Sequence, residues 1–353
     1  MSTPGGPPGA EVGASGEVRA SAEVRASGQV GRSGGADPGS GIVDAHHHVW
    51  DLSVRDHDWL HEEQPWADEA SMARLRRSFT MADLGPLAAA AGVTATVVVQ
   101  TDIGPGESTD LLALAASGGL VGAVVGWVDL TAAGAADALA GLKAQPGGQR
   151  LAGIRHPLLS ESDDGWLERH DVRRGLAAVA AAGLVFDVVC RPDQLPGALA
   201  AARALPGLTF VLDHLGNPGG EPGNGPWART MRELAALPNT VVKLSGVLSE
   251  AFTPGGAAGD AAAGVPGGAP AVSPGGAPGT REIDPLVRAY CEQAMGMFGP
   301  GRTMFGSDWP PCTLTASYPD VLAAARAVTG GLTEAERAAV FAGTARRVYR
   351  LPG

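Results

Sequence analysis

The chain has 353 residues, 18% of them charged and 44% hydrophobic, and a formal net charge of −11. That length accommodates one large barrel domain or two ordinary ones, with a sizeable buried core. The negative balance argues against nucleic-acid backbones as partners and means that an anionic substrate would need a local cation.

Residues 1–40 are rich in Gly, Ala, Ser and Pro, with a six-residue period starting at Glu11: EVGASG, EVRASA, EVRASG, QVGRSG. Each unit carries a single bulky apolar residue (Val12, Val18, Val24, Val30). Such units cannot offset the entropy of ordering, so a disordered tail is expected. No basic start leads into an apolar stretch, and no apolar run is long enough to span a membrane. The expected location is the cytoplasm, and the oligomeric state is not legible.

From residue 41 onward, short β-like runs alternate with Ala/Leu-rich helical patterns. The runs are GIVDAHHH (41–48), TATVVVQ (94–100), VGAVVGWVDL (121–130), LAGIRHP (151–157), LVFDVVC (184–190), TFVLDHLG (209–216), TVVKLSG (240–246) and RTMFGSDWP (302–310). They are nearly continuously apolar, as strands covered on both faces are. Most lie roughly 25 to 35 residues apart, the length of a βαβ repeat. Two spacings are longer. One follows the first run and holds RDHDWLHEEQPW; the other follows the seventh and holds a Gly/Ala/Pro-rich stretch from about Pro254 to Gly279, expected to be a flexible insertion. Eight strand–helix units predict an α/β fold, a (β/α)₈ TIM barrel over 41–353. An open doubly wound sheet is the competing architecture, but no Gly-rich phosphate fingerprint follows the first run.

Polar residues cluster at the C-terminal ends of these runs, the face on which TIM barrels carry their sites. The first ends in Asp44-Ala45-His46-His47-His48. Residues two apart on a strand share a face, so His46 and His48 point one way and His47 the other. The sixth ends in Asp213-His214 and the eighth in Ser307-Asp308-Trp309. One strand-end histidine is more often a satisfied structural residue than a ligand, and one aspartate more often a helix cap. Three imidazoles and a carboxylate converging in one barrel are costly unless they pair or bind something. Cys190, Cys291 and Cys312 match no zinc or disulfide spacing and suit a reducing compartment, and no local motif pairs Cys190 or Cys312 with a base.

With His-X-His on strand 1, His214 on strand 6 and Asp308 on strand 8, the chain resembles the amidohydrolase superfamily. The strings DAHHHVWDL, LAGIRHPLLSESDDGWL, VLDHLGNP and MFGSDWP resemble amidohydrolase-related family 2, in its sugar-acid lactonase branch, typified by L-fuconolactonase and L-rhamnonolactonase. 2-Pyrone-4,6-dicarboxylate lactonase belongs to the same wider group. The resemblance covers roughly 42–350 without the insertion. It implies hydrolysis of a small-molecule sugar lactone, with Asp308 as general base and His46, His48 and His214 polarising the carbonyl or holding a metal. The bridging Lys or Glu on strand 4 and the His on strand 5 of two-metal relatives are absent, since strand 4 ends in Arg155-His156 and strand 5 offers Asp187 and Cys190. The expected cofactor is therefore none or a single divalent ion, zinc by preference, on His46, His48 and Asp308, with His214 as a further candidate.

Arg155, His156 and Gln100 sit at strand ends, where each could bind the substrate, and Trp59 in the first long loop could stack on a sugar ring. Arg155 could equally form a structural ion pair, and Lys243 could reach either the site or Asp187. The alternatives are a pyrone-dicarboxylate lactonase, which should have an arginine-rich site, a metal-dependent decarboxylase, and a non-catalytic ligand-binding barrel, which would be expected to have lost part of the His/His/His/Asp set.

Overall fold

The computed structural model describes residue 1 and residues 41–64, 67–219, 222–246 and 283–351. The remainder of the 1–40 tail and the 254–279 insertion lie outside the described residues. Among those described, eight strands form one sheet in sequential order, every neighbouring pair parallel. They are β1 (Ile42–His47), β2 (Val93–Val99), β3 (Val121–Gly126), β4 (Leu151–Pro157), β5 (Val185–Val189), β6 (Phe210–Leu212), β7 (Thr240–Leu244) and β8 (Thr303–Phe305). Helices separate consecutive strands, which gives the (β/α)₈ barrel. Closure between first and last strands comes just past β8. The Asp308 amide donates to the His46 carbonyl (2.8 Å) and the His48 amide to the Trp309 carbonyl (2.7 Å).

Local chemistry sets the helix limits. The helix Met81–Ala91 starts in a capping box between Thr80 and Asp83 and stops at Gly92, whose φ of 79° suits a residue without Cβ. The helix Pro226–Ala235 buries Trp227, Met231 and Leu234, a 3.6-residue stripe facing the sheet. No described helix is long and apolar enough to cross a membrane.

The core has two layers. Inside the barrel pack Val43, Ala45, Ala95, Val97, Val99, Ala123, Val125, Val185, Val211, Val241 and Met304, with Tyr349 and Leu351 from the C-terminal segment. Outside, residues of opposite parity such as Val98, Val124, Ile154, Phe186 and Phe210 meet the helices. This alternation explains the near-continuous apolar runs.

Each expected run contains a strand, but the third, sixth and eighth strands stop well before their runs end. After β6 and β8 the backbone turns into the left-handed region, at His214 (φ 52°), Leu215 (φ 58°) and Asp308 (φ 58°), and leaves the ladder.

Candidate active site

β1 does not alternate evenly. Val43 and Ala45 face the barrel interior, and strict alternation would turn His47 inward next. Between Asp44 and His47, however, two residues of β1, Ala45 and His46, face one of β2, Val97, a bulge that resets the phase. His46 and His48 then share a face, their Nε2 atoms 3.2 Å apart, while His47 Nε2 lies 2.9 Å from Thr96 Oγ1. Asp44 pins the bulge. Its Oδ1 accepts from the amides of His46 (3.2 Å) and Ser307 (2.8 Å), and its Oδ2 accepts from Tyr318 OH (3.0 Å).

His214 opens a run of four positive-φ residues, with Leu215, Gly216 and Asn217. Such backbone costs on the order of 1–3 kcal/mol per strained non-glycine residue and persists where its surroundings over-determine it. Here Ser245 Oγ lies 3.0 Å from His214 Nδ1, Trp227 Nε1 donates to the Leu215 carbonyl (2.9 Å), and Asn217 Nδ2 donates to the Cys190 carbonyl (2.8 Å). The run aims His214 back over the barrel mouth.

The four residues meet at one atom. Asp308 Oδ1 lies 3.7 Å from His46 Nε2, 3.7 Å from His48 Nε2 and 3.8 Å from His214 Nε2. All four are buried. Burial lowers His46 and His214 and brings His48 down to about 3, so the three imidazoles are neutral near neutral pH. Burial also raises the Asp308 carboxyl, against the opposing pull of His214 and Arg155.

His46, His214 and Asp308 offer ligand atoms within 4.8 Å of one another, so two imidazoles and a carboxylate fit one divalent ion. His48, expected among the ligands, falls outside that group, although its Nε2 faces the same carboxylate.

Beneath this cluster lies a buried charge network. Lys243 Nζ is 2.6 Å from Asp187 Oδ2, 2.9 Å from Asp213 Oδ1 and 3.1 Å from His46 Nδ1. Tyr349 OH donates to Asp187 (2.7 Å), and Arg155 Nη1 to Asp213 Oδ2 (3.3 Å). Burial pushes Asp213 up, but Lys243, His46 and Arg155 together hold it well below the carboxylate range. Burial pushes Asp187 up to about 6, against Lys243.

The expected substrate-binding residues divide. Arg155 faces inward and is engaged by Asp213 and by the carbonyl and Oε1 of Gln100, whose Nε2 donates to the Arg155 carbonyl (3.2 Å). Both are buried beside the cluster. His156 is the next residue on β4 and therefore faces away. It stacks on Trp166 at 4.1 Å, accepts from Trp127 Nε1 (3.2 Å) and meets Glu161 (2.8 Å). Trp59 is half-buried and packs edge-on against Trp50, 5.4 Å between centroids. The cysteines are buried, with Cys190 and Cys291 pushed up to about 12, so none is a nucleophile.

The site-residue expectations omitted Asp213 and Asp44 and left Lys243 undecided. A signal was present: a lone charge inside an apolar strand, VVKL or VLDH, must find a partner in the barrel.

The amidohydrolase family model matches residues 43–351. An L-fucono-1,5-lactonase of Burkholderia multivorans is 35% identical over 323 residues, covering 89% of this chain and 97% of that protein. An L-fucono-1,5-lactonase of Burkholderia ambifaria is 33% identical over 314 residues, covering 88% and 95%. A crystal structure of an amidohydrolase from Burkholderia multivorans with bound zinc superposes with a TM-score of 0.71 at 32% identity, covering 88% of this chain and 99% of that one.

Proposed function

We propose that this chain, which belongs to the amidohydrolase family, opens a sugar-acid lactone by attack of water with Asp308 as general base. The observation that carries the reading is the approach of His46, His48 and His214 to one oxygen of Asp308 at 3.7–3.8 Å, all four buried at the C-terminal ends of the strands. The two L-fucono-1,5-lactonases support the substrate class.

In this mechanism Asp308 accepts a proton from the attacking water, whose oxygen bonds to the lactone carbonyl carbon. The imidazoles facing Asp308 are neutral, so they do not trap the base in a tight ion pair, and His214 donates to the developing oxyanion through Nε2–H. The ring C–O bond then breaks, and Asp308 returns its proton to the departing alkoxide. Arg155, held by Asp213 and Gln100, adds positive potential beside the reacting carbonyl. One divalent ion would be held by His46, His214 and Asp308 and would supply Lewis-acid polarisation when bound; zinc suits this donor set.

The test is hydrolysis of L-fucono-1,5-lactone and related 1,5-lactones, with and without chelator, by the wild type and by Asp308→Asn. The variant keeps the shape but cannot take a proton, so kcat should fall by ~10²–10⁴ with KM and melting temperature nearly unchanged. A folded Asp308→Asn protein with wild-type turnover would remove Asp308 from the role of base. Absence of turnover on every lactone by the wild type would remove the substrate class.

A further inference from the structure

Lys243 is a buried cation with no part in the proposed hydrolysis, and it touches His46 at Nδ1, the ring nitrogen opposite the Nε2 that faces Asp308. An ammonium only donates. Its 3.1 Å contact with His46 Nδ1 therefore requires a lone pair there, which puts the ring hydrogen of neutral His46 on Nε2. His48 Nδ1 lies 2.8 Å from the Val99 carbonyl, which only accepts, so His48 carries its hydrogen on Nδ1 and a lone pair on Nε2. The two Nε2 atoms, 3.2 Å apart, are thus a donor facing an acceptor. Lys243, His46, His48 and the Val99 carbonyl form one directed chain with no conflict along it.

A divalent ion on His46 needs the opposite arrangement, because the ligating Nε2 must be a lone pair and the hydrogen must sit on Nδ1. Lys243 would then point a donor at a donor. The acceptor that such an N–H requires is also present. Asp213 Oδ1 lies 3.3 Å from His46 Nδ1 and 2.9 Å from Lys243 Nζ. A carboxylate in that place is the usual support of a metal-bound histidine. Nδ1 of His46 therefore faces two competitors, Lys243 selecting the ion-free tautomer and Asp213 the ion-binding one.

We propose that Lys243 is a positioning residue that weakens the site's affinity for a divalent ion by holding His46 in its Nε2–H form. The inference rests on the reading of His46, His214 and Asp308 as ligands and is independent of which lactone is cleaved. Metal binding would shift the His46 hydrogen to Nδ1 and onto Asp213, with no change in total charge of the ring.

Two measurements decide it. The first is nitrogen NMR of ¹⁵N-histidine-labelled, metal-free wild type, with His46 and His48 assigned by their single substitutions. The expected pattern is Nε2–H for His46 and Nδ1–H for His48; Nδ1–H on His46 overturns the proposal. This needs no change at Lys243. The second is calorimetric titration of zinc alone into wild type and Lys243→Met. Partners of metal-bound histidines change affinity ~10–100-fold, so Lys243→Met should bind zinc tighter by that factor. Because removing Lys243 strands two buried carboxylates, the pair Lys243→Met/Asp187→Asn, which also removes one carboxylate, is titrated in parallel. Zinc affinity equal in wild type and variants, or absent from all, overturns the proposal.

Discussion

Asp308 sits where its environment opposes its own ionisation. Burial raises its carboxyl, and the pull of His214 and Arg155 does not bring it back. A general base works only when ionised, so the raised value moves the loss of activity to higher pH than for an ordinary aspartate at ~4. The kcat/KM profile for a 1,5-lactone should therefore fall on the acid side through a single limb above ~4. His48, at about 3, stays neutral across that limb, and comparison with Asp308→Asn assigns the limb to its group. Measured over pH 4–8, Asp308→Asn should show low, nearly flat residual activity. The same limb persisting in that variant would mean that another group titrates.

Strand ends are where this barrel deviates from regularity, and those deviations build the site. Gly306 follows β8, and a Cβ there would lie 2.6 Å from the Cβ of His46 and 3.1 Å from its amide nitrogen. Gly306→Ala should push His46 out of register with Asp308, lowering kcat by more than tenfold, as small misplacements of catalytic groups do. The measurement is kcat beside the melting curve; a variant with wild-type kcat would show that this close approach is dispensable. The helix Pro105–Ala116 is anchored differently, by Glu107, which accepts from the amides of Thr101 and Asp102 and from Thr101 Oγ1. Burial raises Glu107 from an ordinary value of 4.5 to about 7. A carboxyl raised by folding stabilises below its unfolded pKa, and that contribution is lost as pH rises through the folded one. The loss between about pH 4.5 and pH 7 is on the order of 3 kcal/mol. Glu107→Gln keeps an acceptor for the two amides and cannot ionise, so its stability relative to wild type should improve from pH 5 to pH 8. Denaturant melts at both pH values check this, and a difference independent of pH would refute it. These deviations also mark the limits of what was legible. His46, His48, His214 and Asp308 stood out because polar residues end apolar runs. The bulge in β1 could not be read, because it depends on how Asp44 is held by Ser307 and Tyr318, residues more than 260 positions away. His156 is read as a site residue from its place at a strand end, although alternation along β4 turns it away from the face that Arg155 shares with the cluster.

At the scale of the whole molecule, sequential strand order and two concentric core layers followed from the spacing and apolarity of the runs, so the barrel was largely legible. Its bottom was not: Tyr349 and Leu351 enter the inner layer from the last helix, and Tyr349 reaches Asp187 across the sequence. Nothing local in RRVYRLPG signals that contact. Among the described residues, the inner layer draws on β1, β2, β3, β5, β6, β7, β8 and that C-terminal segment; 254–279 falls in the sequence between β7 and the helix Pro285–Phe298. That stretch follows the C-terminal end of β7, the face that carries Asp308 and the histidines. Its Gly/Ala/Pro composition offers little apolar surface to a core, and loop-closure entropy changes by only about 0.6 kcal/mol per doubling of length. A protein lacking 254–279 should therefore melt within about 2 °C of the full chain, since ~0.6 kcal/mol moves a domain of this size by only a few degrees. Its kcat and KM for a 1,5-lactone should stay within about twofold of wild type, because the residues proposed for the chemistry lie on β1 and β4 and in the segments just after β1, β6 and β8. An unchanged melting temperature with a KM raised tenfold or more would instead assign the stretch to substrate capture at the barrel mouth. A large drop in melting temperature would make it part of the fold.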